Sequence, residues 1–334
     1  MKITFFYRHP NRLNRSIERV FETLEQQLNK DGVEIHRVYA YKYGIWPLSM
    51  LINIIRCGWI GWTNKGINHI TGDIHYCALL MPKSRTFLTI HDLVTLHNKN
   101  ISRIYKCFIS LMWYMLPLKR LKCVTCISEA TYNDLVSRFP FVKDKVKIIH
   151  NPVNTALFSI LPKSSMPDEP VILHIGTREN KNLIRVVEAL SSIHCHLRII
   201  GSLSAEQNSA LQSYHINYSS AYGLTDDEMI EEYRNCDIVS FPSTYEGFGM
   251  PIIEAQAASR PLITSKIEPM ISVSAQAAVL VDPYDIQSIR DGFCQLINNP
   301  DKFKQLTNDG LHNAENYKVK NIASKYANIY NNIL

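Results

Sequence analysis

Residues 243–257 read STYEGFGMPIIEAQA and combine a glycine-containing turn with the start of a helix. The preceding DIVSFPS (237–243) is rich in β-branched residues, which predicts a strand. Gly247 and Gly249 lack side chains, so backbone N–H groups can approach a ligand closely. Pro251 suits the first position of a helix, whose N-terminus favours a phosphate. The stretch therefore predicts a strand, a phosphate-binding turn and a helix in succession.

Two carboxylates belong to the same stretch. Glu246 lies in the loop, and Glu254 lies in the first turns of the helix. A carboxylate beside a phosphate site accepts hydrogen bonds from neighbouring hydroxyls, such as those of a sugar. The spacing allows both side chains to line one pocket, although incidental acids in a loop and a helix would give the same letters.

A second motif, HIGTRENKNL (174–183), places Gly176 at the end of a predicted strand, with Arg178 and Lys181 shortly after it. Two cations at a strand end can neutralise a diphosphate. An exposed basic loop is the alternative. In the first half, TIHDL (89–93) similarly places His91 just after a predicted strand.

Strand-like and helix-like segments alternate along the whole chain. The predicted strands are residues 2–8, 33–40, 85–93, 123–128, 146–153, 171–176, 196–201, 237–243, 261–265 and 277–283. The proline- and serine-rich stretch SILPKSSMPDEP (159–170) predicts a linker between two halves. This order indicates two α/β domains with parallel sheets, in which ligands bind at the carboxyl ends of the strands.

Charge is divided unevenly between the two halves. Residues 1–150 hold 22 Lys and Arg against 10 Asp and Glu, a net +12, whereas residues 151–334 hold 14 against 20, a net −6. A basic half favours an anionic partner, either nucleic acid or an anionic membrane surface, and a solvated basic face is the remaining alternative. The basic half alone does not explain the acidic pair of the second half, which argues against a nucleic-acid binder.

Two apolar stretches are candidates for membrane contact. Residues 45–62 are interrupted by Pro47 and Arg56, and residues 107–118 are too short to span a bilayer. The second stretch is flanked by basic residues and contains Trp113 and Tyr114, which suits either a helix in a membrane interface or a buried helix with a basic outer face. The start MKITFFYRHP does not resemble a secretory signal, and the eight cysteines, including the pair Cys123 and Cys126, are expected to be reduced core residues.

The glycine-containing stretch at residues 243–257, with the strand before it, resembles a motif of the retaining GT-B glycosyltransferases of family 4, also called glycosyl transferases group 1. The shared pattern is a strand, P-S-x-x-E-G-F-G-x-P and then E-A-x-A, with seven residues between the two glutamates. The resemblance implies an α/β fold of two doubly wound Rossmann-like domains that face each other across a cleft. It places the acceptor domain at residues 1–158, with a last helix at 318–334 packing back on it, and the donor domain at 159–317.

The resemblance also implies a role for each matching residue. Arg178 and Lys181 would bind the diphosphate of a UDP- or GDP-sugar, and Glu254 would bind its ribose. Glu246 would hold the sugar, and His91, which belongs to the other domain, would orient the same sugar. The remaining residues implied to line the donor site are Gly176, Gly247, Phe248, Gly249, Met250 and Pro251. Neither a metal nor a cofactor is expected, since no Asp-x-Asp motif is present. One departure is the loop RHPNRLNRS (8–16), where Arg12, Asn14 and Arg15 replace the glycines of many relatives.

These expectations amount to a retaining, metal-independent hexosyltransferase that acts on a lipid-linked glycan in bacterial surface polysaccharide synthesis, of the lipopolysaccharide or O-antigen type. We expect a cytoplasmic protein, peripheral on the inner membrane through its basic half, with no nucleic-acid partner. An inactive sugar-nucleotide-binding protein of the same fold and a sugar-nucleotide epimerase remain the alternatives.

Overall fold

The computed structural model describes residues 1–10, 16–42, 46–97, 101–158, 160–163 and 165–332. The chain divides into two compact units. Unit 1 contains Met1–Pro152 and Val319–Leu334, and unit 2 contains Val153–Lys318. The expected loop residues Arg12, Asn14 and Arg15 lie outside the described residues.

Within the described residues, the chain forms twelve strands and fourteen α-helices. The strands are β1 (Lys2–Tyr7), β2 (Glu34–Tyr39), β3 (Ile67–Ile70), β4 (Thr86–Ile90), β5 (Val124–Cys126), β6 (Val146–Ile148), β7 (Val171–Ile175), β8 (His196–Ile200), β9 (Tyr218–Ala221), β10 (Ile238–Phe241), β11 (Leu262–Ser265) and β12 (Val279–Val281). The helices are α1 (Ser16–Lys30), α2 (Trp46–Thr63), α3 (Val94–His97), α4 (Arg103–Ile109), α5 (Leu116–Arg120), α6 (Glu129–Arg138), α7 (Leu183–Leu190), α8 (Ala205–Ser213), α9 (Asp226–Asn235), α10 (Met250–Ala257), α11 (Met270–Ser274), α12 (Ile286–Ile297), α13 (Pro300–Ala314) and α14 (Val319–Asn331).

Unit 1 is built on a parallel sheet with the strand order β2-β1-β3-β4-β5-β6. The chain leaves β1 toward one edge and returns to the other side of it, so the strand order reverses between β1 and β3. In open α/β sheets, this reversal leaves a crevice at the carboxyl ends of the two strands. The last helix, α14, packs against α1, and its buried Tyr330 hydroxyl lies 2.7 Å from Nδ1 of His69 on β3.

Unit 2 repeats the architecture with the parallel order β12-β11-β10-β7-β8-β9. Here the reversal lies between β7 and β10. Its core is formed by the apolar faces of the strands and of helices such as α7, where Val186 and Leu190 are fully or almost fully buried. The carboxyl ends of β7 and β10 are therefore where a ligand site is expected in this unit.

The division between the units falls a few residues before the expected one. It follows Pro152 instead of residue 158, because the backbone N–H of Val153 donates to the carbonyl of Tyr317, at 2.9 Å, and Val153 pairs with Lys318. The segment that precedes the expected linker is thereby tied to the end of unit 2.

Most predicted elements are present, with two strands added. The new strands are β3, with the sequence INHI, and the edge strand β9, with the sequence YSSA. Ser128 caps α6, since its side chain accepts a hydrogen bond from the N–H of Thr131. Thr225 and Glu228 form a capping box at the start of α9.

The second apolar stretch of the sequence, residues 107–118, packs within unit 1. Residues 107–118 run through α4, a π-helical segment (Ser110–Met115) and α5. Tyr114 is buried, and the indole N–H of Trp113 donates to the Asp73 carbonyl, so both aromatic side chains are engaged within unit 1. These contacts support the buried-helix alternative for this stretch. None of the helices in the described part of the chain is long and apolar enough to cross a bilayer.

Five of the eight cysteines are buried as expected, whereas Cys123 and Cys294 are half-buried and Cys107 is exposed. The described cysteines form no disulfide, and burial raises the pKa of Cys126 to about 12. The pKa of Cys123 is also raised by burial. Both thiols of the C-x-x-C pair therefore stay protonated near neutral pH, which disfavours thiolate chemistry.

Candidate functional site

Two loops at the strand reversal of unit 2 are joined to each other by backbone and side-chain hydrogen bonds. One loop follows β7 and the other follows β10. The N–H of Thr244 donates to the carbonyl of Asn180, at 2.8 Å, and the Asn180 amide donates to the carbonyl of Tyr245, at 2.9 Å. The two motifs identified in the sequence are thus adjacent in space.

Lys181 and Glu246 form an ion pair between these loops. Nζ of Lys181 lies 2.5 Å from Oε1 of Glu246, and the two side chains are 19% and 14% exposed. The ammonium group also lies 4.6 Å from the ring centroid of Phe241 at the end of β10. A cation–π contact and a carboxylate together hold the lysine charge at one point.

Asn182 fixes the backbone next to Lys181. It has the left-handed φ of 66° and is only 5% exposed. Its amide donates to the carbonyls of Pro242, at 3.0 Å, and Pro283, at 2.6 Å, which connects three loops at the carboxyl end of the sheet. Sequence analysis did not identify this residue, because its partners are remote along the chain.

Gly176 provides the space that the Lys181 side chain occupies. Its φ is +93°, and a Cβ added there would lie 2.9 Å from Cγ of Lys181. Any other residue would be strained in this conformation and would also displace the lysine. The glycine that ends β7 is therefore required for the position of the cation.

Helix α10 begins at the turn that contains the remaining predicted residues. Gly249 is its N-cap, with a φ of +96°, and forms no side-chain cap; Pro251 lies in the first turn. Phe248 is buried against the ring of Tyr317, at a centroid distance of 5.8 Å, which anchors the turn. Gly247 precedes Phe248, and Met250, between Gly249 and Pro251, is the first residue of α10. The N-terminal end of α10 carries the partial positive charge that favours an anion.

Glu254 is oriented by a buried tyrosine. Its Oε2 accepts a hydrogen bond from the Tyr233 hydroxyl, at 2.7 Å. Tyr233 is fully buried, and burial, followed by the charge of Glu254, raises its pKa well above the usual value. The phenol therefore stays protonated and serves as a fixed donor. Tyr233 is the second residue that the sequence analysis missed.

A neutral histidine lies on β7 near the cation. Nδ1 of His174 lies 3.2 Å from Oγ of Ser240 on β10. Burial, followed by the positive charge of Lys181, lowers the pKa of His174 to about 3. The imidazole consequently adds no charge at neutral pH, and the local positive charge comes from the lysine.

Arg178 begins the short 3-10 helix Glu179–Lys181, and its side chain is exposed. It thus belongs to the same loop as Lys181 but is not fixed by burial. Within unit 2, the structure brings the strand-end glycine, the two cations, Glu246 and the glycine turn to the carboxyl end of the sheet, with Glu254 on the helix that follows.

His91 is described within unit 1, at the carboxyl end of β4. Its Nε2 lies 2.8 Å from the carbonyl of Thr71, so Nε2–H donates and Nδ1 is the acceptor of the neutral ring. Burial is the main cause of its lowered pKa, which keeps the ring neutral. Gly72 allows this packing, since a Cβ there would lie 2.8 Å from Cδ2 of His91.

An ionic cluster occupies the strand reversal of unit 1. Arg8 follows β1 and pairs with Glu18, at 2.8 Å, and with Asp73, at 2.5 Å. Asp73 has a left-handed φ of 56° and a half-exposed side chain. A non-glycine residue in this conformation is strained and is often found at functional positions.

No group of three or more metal-ligating side chains occurs among the residues that the structure describes. The unit 2 site offers a partly buried cation, an anion-binding helix end and two oriented carboxylates. Together these groups can hold a phosphate and hydroxyl groups of the same ligand.

Comparison with known proteins relates both units to characterised families. The model "Glycosyl transferases group 1" matches residues 160–312, and the model "Glycosyltransferase Family 4" matches residues 66–157. The serotype-specific mannosyltransferase WbdA of Escherichia coli is 23% identical over 269 residues, covering 72% of this chain and 32% of WbdA. The O-antigen chain mannosyltransferase B of Escherichia coli is 28% identical over 107 residues, covering 32% of this chain and 28% of that protein. The chain thus spans about a third of the length of these curated relatives.

Solved structures match over nearly the whole chain. Sucrose-phosphate synthase from Thermosynechococcus elongatus superposes with a TM-score of 0.81 at 14% identity, covering 100% of this chain and 99% of the other. Anabaena Alr3699/HepE, in complex with UDP and glucose, gives a TM-score of 0.78 at 13% identity, covering 99% and 100%. At these identities, the likeness concerns the fold.

Proposed function

Since the chain belongs to the group 1, family 4 glycosyltransferases and has their two-domain GT-B fold, we propose that it transfers a hexose from a nucleotide-diphosphate sugar to a glycan. The observation that carries this proposal is the Lys181–Glu246 pair at the strand reversal of unit 2, beside the N-terminus of α10. A cation, a helix end and a sugar-binding carboxylate are what a sugar diphosphate requires.

The proposed donor site assigns one task to each group. Lys181 and Arg178 neutralise the diphosphate and stabilise it as the leaving group when the bond to the sugar breaks. Glu254, oriented by Tyr233, accepts hydrogen bonds from the ribose hydroxyls. Glu246 and the amides of Phe248 and Gly249 hold the sugar hydroxyls, and Gly176, Gly247, Met250 and Pro251 shape the turn around them.

His91 is proposed to orient the donor sugar. Because its Nε2–H donates to Thr71, its Nδ1 can accept a hydrogen bond from a sugar hydroxyl. A neutral ring is suited to this task, since a protonated imidazole would have no acceptor nitrogen. His91→Phe removes both ring nitrogens, including the donor to Thr71, and should lower kcat. His91→Gln supplies an amide in their place and should recover part of the rate.

We propose retention of anomeric configuration and independence of metal. Both follow the family pattern, and neither a protein nucleophile nor a metal is assigned a step. The stereochemistry is tested by NMR of the first product formed. Metal independence is tested by activity in excess EDTA after dialysis: an unchanged rate supports it, whereas loss of activity that Mg²⁺ or Mn²⁺ restores contradicts it.

The proposed acceptor is a lipid-linked oligosaccharide of bacterial surface polysaccharide synthesis. The names of the two Escherichia coli relatives, a serotype-specific and an O-antigen chain mannosyltransferase, support a surface glycan. The complex of the Anabaena structure with UDP and glucose supports a nucleotide-sugar donor. A mannose or glucose donor is therefore the first to test.

The deciding experiment is a thermal-shift screen of UDP-, GDP-, ADP- and TDP-sugars, because a bound donor raises the melting temperature. The donor that binds is then incubated with and without lipid-linked acceptors. Transfer only when an acceptor is present supports the proposal. Conversion of the donor alone would identify an epimerase, and binding without any reaction would identify an inactive binding protein.

A further inference from the structure

Helix α2 of unit 1 presents an apolar face to solvent. Five side chains spaced three or four residues apart lie on this face and are between 48% and 72% exposed: Leu48, Leu51, Ile55, Trp59 and Trp62. With a rise of about 1.5 Å per residue, they form one stripe roughly 20 Å long. A soluble helix normally turns charged or polar side chains outward. We call these five residues the α2 stripe.

The opposite face of α2 is packed in the ordinary way. Ile54 and Cys57 belong to the core of unit 1, and Asn53 is buried, with its amide and carbonyl bonded to the backbone of Tyr41. The helix is therefore held firmly by one side. The stripe is not needed to complete that core, so its exposure calls for a partner.

Leu80 extends the stripe sideways. It is 49% exposed, and the indole N–H of Trp62 donates to its carbonyl, at 2.9 Å. A Cβ added at Gly58 would lie 2.7 Å from Cβ of Leu80, so the two segments are in direct contact. The result is a continuous apolar surface that is wider than a single helix. Contiguous exposed apolar surfaces of this kind mark interaction sites.

The segment of chain that carries the stripe is rich in basic residues. Between residues 35 and 91 the sequence contains six Lys and Arg and a single acidic residue, Asp73, which is paired with Arg8. Two exposed lysines lie close to the stripe in the sequence. Lys65 follows the end of α2, and Lys83 follows Leu80. Over the whole of unit 1, 24 basic residues stand against 10 acidic ones, a net +14.

We infer that the α2 stripe inserts into the interfacial region of a bilayer that contains anionic phospholipid. Tryptophan, leucine and isoleucine are suited to the boundary between headgroups and acyl chains, and the surrounding cations attract anionic headgroups. A second copy of the chain is a poorer occupant, because pairing two such stripes would bring two units of +14 together. This inference rests on the proposed function, because the membrane contact would serve to bring unit 1 to a lipid-linked acceptor.

The test is co-sedimentation of the full chain with sucrose-loaded vesicles, without any sugar nucleotide. The probes are phosphatidylcholine vesicles with and without 30 mol% phosphatidylglycerol. We expect binding to the anionic vesicles at least tenfold tighter than to the neutral ones, and a further tenfold loss on raising NaCl from about 0.1 to 0.5 M.

The decisive variant is Ile55→Ser with Trp59→Ser, since both side chains are exposed and the packed face of α2 is untouched. It should lose at least tenfold in vesicle affinity. The matched control is Leu161→Ser with Tyr222→Ser, which removes two exposed apolar side chains, 86% and 75% exposed, from unit 2. The control should bind vesicles like the wild type.

Tryptophan fluorescence gives an independent measure of insertion. The chain has four tryptophans, two of which lie on the stripe. Lipids brominated in the acyl chains should quench the wild-type emission, and Trp59→Ser should remove a large part of that quenching. Quenching that is unaltered by this substitution would contradict insertion through α2.

Two further outcomes would overturn the inference. Equal vesicle binding by the stripe variant and the wild type would place any membrane contact elsewhere. A wild-type dimer in sedimentation velocity that the stripe variant abolishes, together with no vesicle binding, would assign the stripe to a second copy. Donor binding distinguishes failure of the proposed function from failure of this inference. If the wild type binds vesicles but no nucleotide sugar, the docking surface is supported and the transferase assignment is contradicted.

Discussion

Lys181 and Glu246 stand 2.5 Å apart and link the loops that follow β7 and β10, although 65 residues separate them in the chain. Each is largely removed from solvent, so the two opposite charges attract each other with little screening by water. A diphosphate that enters this site meets a cation already held in place by a carboxylate and by the face of Phe241. The cation of the proposed donor site is thus held in place by contacts within unit 2.

The first prediction concerns the rate of transfer. Lys181→Met should lower kcat by about 100-fold, because removing one preorganised charge from a developing anion typically has an effect of this size. Lys304→Met, at an exposed position of α13, is the matched control and should leave kcat unchanged. Steady-state kinetics with the identified donor measures both, and a wild-type kcat for Lys181→Met would contradict the assigned role.

The second prediction concerns the stability of the same pair. Lys181→Met leaves the Glu246 carboxylate mostly buried without its cation and should lower the free energy of unfolding by about 2 kcal/mol. The double variant Lys181→Met with Glu246→Gln should lose less than Lys181→Met alone, since no uncompensated charge remains. Urea denaturation of the wild type, Lys181→Met, Glu246→Gln and the double variant gives the coupling free energy between the two side chains. Additive losses would mean that the two groups do not depend on each other.

The third prediction separates backbone strain from displacement of the lysine. Gly176→Ala and Gly223→Ala both force alanine into a positive φ, +93° and +71°, which should cost about 1–2 kcal/mol in each case. Only Gly176→Ala places a methyl group against Lys181, because nothing lies within 4 Å of a Cβ at Gly223. Donor affinity should therefore fall in Gly176→Ala alone.

Calorimetric titration with the donor measures this difference, and chemical denaturation checks that the two variants are destabilised to a similar extent. Equal donor affinity in the two variants would show that the position of Lys181 does not depend on the glycine.

The fourth prediction concerns Glu254 and the tyrosine that orients it. Glu254→Ala should reduce donor affinity more than kcat, since the ribose lies away from the breaking bond. Tyr233→Phe removes one hydrogen bond to the carboxylate and should weaken donor binding by about fivefold, equivalent to about 1 kcal/mol. Tyr284→Phe, with a 62% exposed ring, is the control. Wild-type affinity of Glu254→Ala in a calorimetric titration would exclude the ribose role.

Sequence patterns predicted the architecture well where apolar residues are regularly spaced. They failed at β3, because Asn68 and His69 are completely buried there and make the strand look polar. They failed at β9, because an edge strand with the sequence YSSA needs little apolar surface. Helix α2 was not recognised for the opposite reason, since its outward face is as apolar as its inward face.

The functional site followed a similar division. Local sequence was enough to propose Lys181, Glu246 and Gly249, and the structure places all three in loops at the carboxyl end of the unit 2 sheet. Asn182 and Tyr233 were not, because each acts through a partner in a distant segment: Asn182 through the Pro242 and Pro283 carbonyls, and Tyr233 through Glu254. Hydrogen bonds between distant segments have no signature in a single sequence.

The last prediction concerns the dependence of stability on pH. Burial lowers the pKa of His174 to about 3 in the folded protein, whereas an unfolded histidine has a pKa of about 6.5. Below pH 6.5 the unfolded chain therefore binds a proton that the folded chain excludes, and the stability contributed by the neutral ring is lost as the pH falls. Between pH 7 and pH 5 this single group should remove about 2 kcal/mol from the free energy of unfolding.

The double variant His174→Leu with Ser240→Ala removes the imidazole together with its buried partner, so neither polar group is left unsatisfied. Its free energy of unfolding should fall by about 2 kcal/mol less than that of the wild type between pH 7 and pH 5. Ser240→Ala alone keeps the imidazole and should retain the wild-type pH dependence. Guanidinium denaturation of the three proteins at both pH values provides the comparison. If the double variant keeps the full wild-type loss, the buried ring on β7 does not bear the linked proton, and the sensitivity to acid must arise from other buried histidines such as His69 and His75, whose pKa values burial also lowers.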